Sequence, residues 1–497
     1  MKASFKPLSL AIAVSAATAG YVGTVNAQTA ALAANSGLGD LAIVPYYTVQ
    51  EDWTTGVSVI NTSAQTQVIK VRLRRASDSE DALDFNVVLS PEDVWTGFVE
   101  NNTAPGVEDQ IRFYTNDNTC TVPIATVNPD GGPRYFAVPE IFAEGAEEGY
   151  IEIIGMGAAD ATQQISKDAV HNEDGFPFAC DRVQLNFLRY GTVNVFNPSI
   201  AGPANTGDLT IEGNINSTQT ASLGLLSNYT APGNFMKVSY FIKDTTSGIE
   251  FGDNAVMVSD FMTGPSMTNQ VAAIVGTEDL QGYDYPDLDG GAPLSVINGV
   301  GADDNRYNLL RGILGSTGII NDWSRNAAGD FTVDTDWVIT APGQYVMLDN
   351  SGGDFRDLPL TIAPTVYDRE EQSEFIPPGG IVISPTPANP TPPGTLPYEV
   401  NVIQWGVNPV LDAAESVKDL AGSFDAEFGW ANLALTSDTA KTQQVCQYSA
   451  VDNEVCVAAT GSVPIVGFAA WQRNFASSPD ANYGRIVRHS YTISSAN

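Results

Sequence analysis

Many short segments of this chain alternate apolar and polar residues with a period of two. The clearest are residues 69–74 and 83–89, whose alternating apolar residues are Ile69, Val71, Leu73, Leu83, Phe85, Val87 and Leu89. Such alternation places the apolar side chains on one face of a β-strand. Because the segment 76–82 between them is polar, we expect a hairpin in which the two strands pair.

Similar runs follow along the chain, separated by segments rich in Gly, Pro, Asn and Asp. They cover residues 41–49, 150–156, 183–190, 236–243 and 255–261, and then 336–340, 344–348, 398–405, 427–435, 463–471 and 485–493. Short strands at this spacing are typical of β-sandwiches. The pattern predicts an all-β fold: two β-sandwich-like units with long loops and a few short helices.

The two units are expected at residues 36–270 and 331–497, since 497 residues exceed what one hydrophobic core usually serves. Residues 271–330 between them form an acidic connecting region rich in Gly and Asp. Residues 376–397 hold eight prolines in twenty-two positions, which indicates an extended loop inside the second unit.

One connecting helix is predicted in the second unit. Asn408 can cap it, Pro409 suits its first position and Gly422 can end it. Its apolar face would consist of Val410, Ala414, Val417 and Leu420.

The N-terminus has the pattern of a cleavable export signal. Lys2 and Lys6 precede an uncharged run, and a Val-Asn-Ala sequence ends at Ala27. Polar residues interrupt the run, so it lacks the ~20 consecutive apolar residues of a membrane span. We expect residues 1–27 to be a signal peptide, and the remainder to be secreted or held at the cell surface, with the periplasm as the alternative.

The composition is acidic, but it is that of a folded protein. A count of 58 acidic against 23 basic residues gives a net charge of −35, and loss of Lys2 and Lys6 leaves 58 against 21, or −37. Only 16% of the chain is charged and 43% is hydrophobic. Since a phosphate backbone would be repelled, a nucleic-acid partner is not expected. The acidic surface suits solubility, cation binding or a cationic partner.

Four cysteines suit an oxidising compartment, where they form disulfides. Cys446 and Cys456 lie in two short β-like runs around a turn, which predicts a bridge across two strands. Cys120 and Cys180 would then pair with each other. This pairing rests on proximity in the sequence, and three pairings are formally open.

An acidic, glycine-punctuated stretch predicts a calcium site. Carboxylate oxygens and tight turns are what calcium prefers, and we assign Asp284, Asp287, Asp289 and Asp303 as its ligands. The stretch departs from an EF-hand loop, since Asn298 stands where a closing Glu would be expected. A solvated acidic loop is the alternative, and no other cofactor is predicted.

No catalytic residue is predicted. Residues 150–160 resemble a strand running into a glycine-rich dinucleotide loop, but Asp160 would repel a phosphate. The chain has two histidines, His171 and His489, and neither stands in a zinc-binding motif. There is no Gly-x-Ser-x-Gly motif, and a Ser-His-Asp triad would have to use His489. A pair of carboxylates acting on a glycan stays open, because sequence spacing does not give their distance.

Three cations alternate along one predicted strand. Lys70, Arg72 and Arg74 share a face, where they either meet an anionic polymer or pair with the neighbouring strand. We favour cross-strand pairing, for example of Arg72 with Asp84.

Several strings give the chain a family resemblance. They are VPYYT (44–48), SVINT (58–62), LDFN (83–86), DVWTG (93–97), TDWV (335–338), YDREE (367–371) and EVNVI (399–403). Together they resemble an uncharacterised family of secreted or cell-surface β-rich proteins of Gram-negative bacteria. The resemblance implies location and no catalytic residues. Relatives often carry a cysteine just before the EVNVI string, where this chain has Pro397 and Tyr398.

These observations predict a secreted or cell-surface structural or adhesive protein that is not an enzyme. Its partner would be a cell-envelope component, an extracellular glycan or a second copy of itself. The alternative is a polysaccharide-binding protein or a carboxylate-based glycan-acting enzyme. That alternative requires tryptophans along an exposed groove. The seven candidates are Trp53, Trp95, Trp323, Trp337, Trp405, Trp430 and Trp471.

Overall fold

The computed structural model describes eighteen stretches of the chain. They are residues 37–102, 110–129, 131–184, 187, 229–265, 286–288, 306–326, 330–343, 346–349, 360–370, 373–375, 382–384, 394–406, 408–414, 416–418, 426–436, 443–448 and 454–492. The predicted signal peptide and most of the predicted Pro-rich loop lie outside them.

Thirteen strands occupy the first half of the described chain. They are β1 Leu41–Thr48, β2 Trp53–Asn61, β3 Thr66–Arg75, β4 Asp81–Leu89, β5 Val94–Asn102, β6 Gln110–Thr115, β7 Cys120–Val122, β8 Arg134–Ala137, β9 Glu148–Ala159, β10 Tyr229–Thr230, β11 Met236–Asp244, β12 Glu250–Asn254 and β13 Val256–Val258. One sheet has the order β13-β1-β9-β3-β4-β7, with β10 beside β9, and the other has the order β12-β11-β2-β5-β6-β8. The predicted hairpin is confirmed, because β3 and β4 pair antiparallel with Arg72 opposite Asp84.

A hydrophobic core fills the space between these two sheets. The alternating residues Val71 and Phe85 of one sheet and Val59 and Trp95 of the other are fully buried in the same cluster. Their strands carry Val, Ile and Phe at every second position, and burial of such side chains contributes ~1.5–3 kcal/mol each. The first half is therefore a β-sandwich.

Fifteen strands form the second half of the described chain. They are β14 Gly318–Asn326, β15 Phe331–Thr340, β16 Met347–Asp349, β17 Leu360–Asp368, β18 Ser373–Phe375, β19 Val382–Ser384, β20 Thr395–Leu396, β21 Val400–Gln404, β22 Ser416–Lys418, β23 Phe428–Thr436, β24 Gln443–Tyr448, β25 Glu454–Ala458, β26 Val466–Phe475, β27 Tyr483–Arg488 and β28 Ser490–Thr492. Twelve of them belong to one sheet with a main path β18-β17-β23-β14-β15-β21-β22-β19, and β16, β24 and β25 form a separate sheet.

The twelve-stranded sheet makes its own sandwich because β14 changes partner along its length. Residues 318–324 pair with β23, whereas Arg325 and Asn326 pair with β15. A second core lies between the two layers and includes Trp323, Trp337 and Leu433. The all-β prediction with sandwich-like units is confirmed.

The first core also extends into the second half of the chain. Tyr307, Val338, Val402 and Phe468 belong to the same buried cluster as the first sandwich. The two halves are also hydrogen-bonded to each other, since the Thr340 hydroxyl donates to the Pro45 carbonyl and the N–H of Glu399 donates to the Ala76 carbonyl.

Few helices appear among the described residues. They are α1 Gln164–Ala169, α2 Cys180–Gln184 and α3 Arg306–Leu314, with 3-10 turns at Glu140–Phe142 and Pro479–Ala481. No helix of this described part is long and apolar enough to cross a membrane.

The helix predicted from Asn408 to Gly422 is wrong. Residues 408–414 form bends, and Val417 lies in β22, which pairs parallel with β21. The backbone N–H groups of Val410 and Leu411 donate to the carboxylate of Asp336 instead of starting a helix. A buried acceptor 74 residues away therefore overrides the local helix signal.

The strand predicted from 183 to 190 is also wrong at its start. Val183 and Gln184 belong to α2, which begins at the disulfide-bonded Cys180. By contrast, residues 150–156 form a strand as predicted, and β9 runs on through Ala159 without a dinucleotide-type turn into a helix.

Candidate functional site

An open cleft lies beside the disulfide between Cys120 and Cys180. Its volume is about 520 Å³. One wall comes from the end of β6 and from β8, and the other from the chain that leads into α2. The lining residues are Thr115, Asn116, Asn118, Gly132, Arg134, Phe176, Pro177, Phe178, Ala179, Cys180 and Asp181.

A tight loop presents the two phenylalanines of this cleft. The Asn172 side chain accepts hydrogen bonds from the backbone N–H groups of Asp174 and Phe176, at 2.9 and 3.1 Å. Gly175 has a φ of +79°, which a residue with a Cβ rarely adopts. The sequence Asn-Glu-Asp-Gly thus closes the loop locally and leaves the following residues facing outward.

Several contacts hold this loop against the sandwich. The N–H of Phe178 donates to the carbonyl of Val170, and the N–H of Ala179 donates to that of Asp168. The Asn118 amide nitrogen donates to the Gly175 carbonyl at 3.3 Å. The disulfide fixes the next residue, Cys180, to β7. The cleft is therefore largely preformed.

The rings of Phe176 and Phe178 are unusually exposed for their size, at 54% and 66%. Large apolar side chains held at the surface are enriched where a protein contacts a ligand or partner. On the opposite wall Arg134 is half-buried, and its Nη2 donates to the Asp117 carbonyl at 2.7 Å. The cleft thus combines apolar rings with a fixed guanidinium and with side-chain amides.

The Cys120–Cys180 disulfide is the bridge that the sequence predicts. For Cys446 and Cys456 the backbone register of β24 and β25 places the two residues directly opposite each other. Residues at such positions have Cβ atoms ~4.5–5.5 Å apart. A Cys446–Cys456 bridge remains a prediction.

The predicted cationic face of β3 is buried. Lys70 and Arg72 have no exposed surface and Arg74 is 4% exposed, so an anionic polymer cannot reach them. Lys70 Nζ lies 3.0 Å from Asp84 Oδ2, and Arg72 Nε lies 3.0 Å from Asp81 Oδ1. The Arg72–Asp84 pair has the predicted register, but its closest approach is 3.8 Å. The charges therefore pair within the protein.

Asp287, a predicted calcium ligand, joins this buried cluster. Its Oδ1 lies 2.5 Å from Arg72 Nη1 and 2.6 Å from Arg74 Nη2. Asp284, Asp289 and Asp303 lie outside the described residues, so calcium binding remains a prediction. A calcium ion would compete with two guanidinium groups at Asp287. Among the described side chains, no group of three or more His, Cys, Asp and Glu could hold a metal ion.

Burial and neighbouring charges shift the pKa values of two residues in this cluster. Burial alone would lower the pKa of the Arg72 guanidinium. The carboxylates of Asp287 and Asp81 have the larger combined effect and raise that pKa. Burial raises the pKa of Asp81, against the effect of Arg72 and Arg74. Sequence reasoning identified these cations but could not tell that the second half of the chain buries them.

Six of the seven tryptophans are core residues. Each is at most 8% exposed, and they are Trp53, Trp95, Trp323, Trp337, Trp405 and Trp471. Trp430 is 40% exposed and stacks on Tyr367 with the ring centroids 4.1 Å apart. The tryptophans do not line a common groove.

A serine, a histidine and an aspartate meet near the cleft, but not as a catalytic triad. Ser90 Oγ lies 3.3 Å and Asp93 Oδ1 lies 3.9 Å from the same nitrogen, Nδ1 of His171. A triad needs the two partners on opposite ring nitrogens. His489, the histidine considered from the sequence, is buried against Asn321 and the Val338 carbonyl. Burial lowers its pKa to about 4.

No family model, curated protein or solved structure matches this chain.

The cleft was not found from the sequence, although a signal was present. Two phenylalanines follow a strongly polar turn in Asn-Glu-Asp-Gly-Phe-Pro-Phe, where no strand or helix pattern would bury them. Two apolar residues outside any periodic segment indicate a surface that contacts a ligand or partner. Its second wall, which comes from residues 115–134, could not be inferred locally.

Proposed function

We propose that this chain is an exported, non-enzymatic adhesive protein that contacts a component of the cell envelope or its surroundings through the cleft. The observation that carries the proposal is the exposure of Phe176 and Phe178 on a fixed loop. Contact with a partner removes these rings from water, which is favourable in proportion to the apolar area covered.

The rigidity of the loop supports the same proposal. Association costs free energy when flexible side chains and loops must be ordered. Here the disulfide, the Asn172 turn and the hydrogen bond from Asn118 order the loop beforehand. The predicted signal peptide and a disulfide suit a protein that works in an oxidising compartment.

The test is the distribution of the full-length protein between intact cells and medium. We expect the parent to stay on cells and the double variant Phe176→Ser, Phe178→Ser to be released. A matched control replaces two exposed apolar residues outside the cleft, Ile141 and Tyr483, which are 69% and 46% exposed. The double variant Ile141→Ser, Tyr483→Ser should behave as the parent.

Equal melting temperatures would show that all three proteins fold. The proposal fails if the parent is found wholly in the medium, or if the phenylalanine variant stays on cells as well as the parent does. If parent retention depends on protein concentration and purified parent forms oligomers that the phenylalanine variant does not, the cleft is a self-association surface. Adhesion to an envelope component would then be overturned.

A further inference from the structure

The cleft offers aromatic rings and hydrogen-bonding groups on facing walls. Phe176 and Phe178 supply apolar faces that are more than half exposed. Asn116, Asn118 and Arg134 line the same cleft. A ligand that fits must present an apolar face to the rings and several polar groups to these side chains. A pyranose does both, since its C–H groups pack on aromatic rings while its hydroxyls point to the side.

The polar groups have the chemistry that hydroxyl pairs require. A hydroxyl both donates and accepts hydrogen bonds. The two amides provide donors and acceptors, the guanidinium of Arg134 provides donors, and the carboxylate of Asp181 provides acceptors. Planar groups of this kind can bind two adjacent hydroxyls at once.

The charge of the cleft selects among sugars. Arg134 and Asp181 are the two charged residues of its lining, and their charges cancel. The whole chain carries a formal charge of −35, which repels uronate and sulfate groups at a distance. A neutral sugar is not repelled by the negative charge of the chain, and it brings no unpaired charge into the cleft.

Size and shape agree with a short oligosaccharide. The volume of about 520 Å³ falls within the ~300–1,000 Å³ of small-molecule sites.

We propose that this cleft binds a neutral glycan, with Phe176 and Phe178 stacking on pyranose rings and with Asn116, Asn118, Arg134 and Asp181 bonding to hydroxyls. The inference rests on the proposed function in taking the cleft as the contact surface. It adds the chemical class of the ligand.

The test is calorimetric titration of the full-length mature protein with defined hexasaccharides. The neutral probes are hexamers of glucose, mannose and N-acetylglucosamine, and the anionic probes are hexamers of mannuronate and of heparin. We expect at least one neutral hexamer to bind and both anionic ones to bind at least tenfold more weakly. Phe176→Ala with Phe178→Ala should weaken the neutral hexamer at least tenfold.

Two further variants test whether sugar binding belongs to the cleft. Asp181→Asn leaves the cleft lining with a net positive charge from Arg134 and should narrow the preference for neutral over anionic hexamers. Trp430→Ala removes the exposed Trp430–Tyr367 stack elsewhere on the surface and should leave binding unchanged. Loss of binding in Trp430→Ala with full binding in the phenylalanine variant would move the site to that stack and overturn the inference.

The outcomes distinguish the inference from the proposed function. If no neutral hexamer binds but retention on cells still depends on the two phenylalanines, the ligand class is wrong and the adhesive function stands. If the anionic hexamers bind more tightly than the neutral ones, the charge argument is overturned. If neither retention nor sugar binding depends on the cleft, both proposals fail.

Discussion

At the scale of single residues, Asp336 shows how burial converts a carboxylate into a structural group. It lies on β15, opposite Ala470 of β26, and is 1% exposed. Its Oδ2 accepts N–H bonds from Val410 and Leu411 at 2.8 and 3.0 Å. Burial nevertheless raises its pKa to about 7, and these two bonds oppose the rise. Asp336 is therefore partly protonated near neutral pH.

The raised pKa predicts how stability depends on pH. The folded protein binds a proton at Asp336 more tightly than the unfolded chain does, whose pKa is near 3.8. Its contribution is therefore fully present below pH 3.8 and is lost as the pH rises through about 7. Asp336→Asn keeps an acceptor for Val410 and Leu411 and removes the titration. At pH 8 the variant should have the larger free energy of unfolding, by on the order of 3 kcal/mol.

Urea unfolding of parent and variant between pH 4 and 8 measures this difference, which should vanish toward pH 4. Asp322→Asn, which removes one carboxylate at an exposed position of β14, is the matched control. A pH-independent difference for Asp336→Asn would contradict the assignment.

At the scale of elements, the disulfide joins β7 to the first residue of α2. It therefore holds in place the end of the loop that lines the cleft. Cys120 and Cys180 are separated by 60 residues, and α1 packs in the same small core with Val68, Ile165 and Val183. Without the bridge, only this core and the hydrogen bonds of the loop would hold α2 in place.

Replacing both cysteines tests the contribution of this bridge. A closed segment of 60 residues should contribute about 4 kcal/mol in the chain-entropy model. Cys120→Ala with Cys180→Ala should therefore unfold at a markedly lower urea concentration. It should also be cut by protease near Phe176 faster than the parent. An unchanged unfolding midpoint would show that the remaining contacts suffice.

The pairing of β24 with β25 predicts a second bridge. In the backbone register Val445 pairs with Val457 and Cys446 pairs with Cys456. Mass spectrometry of unreduced peptides should find Cys446 joined to Cys456, alongside Cys120 joined to Cys180. A crossed pairing, or alkylation of Cys446 without reduction, would refute it.

At the scale of the whole molecule, buried charges and a shared core join the two halves of the chain. Asp287 reaches the arginines of β3 across more than 200 residues of sequence. Ser79 bonds to the carboxylate of Glu399, and Tyr150 accepts a hydrogen bond from the N–H of Gly343 at 3.1 Å. An exposed ion pair, Arg488 with Asp253, spans the same two halves.

The ion pairs of Asp287 and of Asp253 should contribute different amounts to stability. Asp287→Asn leaves buried Arg72 and Arg74 with less compensating charge and should lower the free energy of unfolding by about 2 kcal/mol, less than a fully buried pair because Asp287 is 22% exposed. Asp253→Asn, whose partner Arg488 is 61% exposed, should cost less than ~1 kcal/mol. Denaturant titration of both variants compares them, and equal losses would contradict the role of burial.

The contacts of Asp287 also change one expectation about calcium. From the sequence alone, Asp287→Asn with Asp289→Asn would relieve repulsion and leave the calcium-free protein as stable or slightly more so. Because Asp287 faces two guanidinium groups, we now expect a loss. If the acidic stretch binds calcium, the ion should raise the melting temperature of the parent and not of this double variant. An equal response in both would exclude Asp287 and Asp289 as ligands.

The sequence by itself determined where many of the described strands lie and which residues form their apolar faces, although β2, β5, β6, β14 and β17 were not predicted. In β3 and β4 the alternation is local and strong, so the pairing of Arg72 with Asp84 followed from it. The Cys120–Cys180 bridge was expected because Cys446 and Cys456 are close in the sequence, which left Cys120 and Cys180 to pair with each other. Such features need only neighbouring residues or a short list of partners.

Tertiary structure decided what the polar face of β3 meets, how residues 408–418 fold and where the cleft forms. Arg74 donates a hydrogen bond to Asp287, which is 213 residues away in the sequence. The N–H of Val410 donates to Asp336, which is 74 residues away. Phe176 and Arg134 line one cleft, beside the disulfide that joins β7 to α2. Each of these depends on the free energy of burying a charge or an apolar ring against one distant partner, which no local pattern of residues contains.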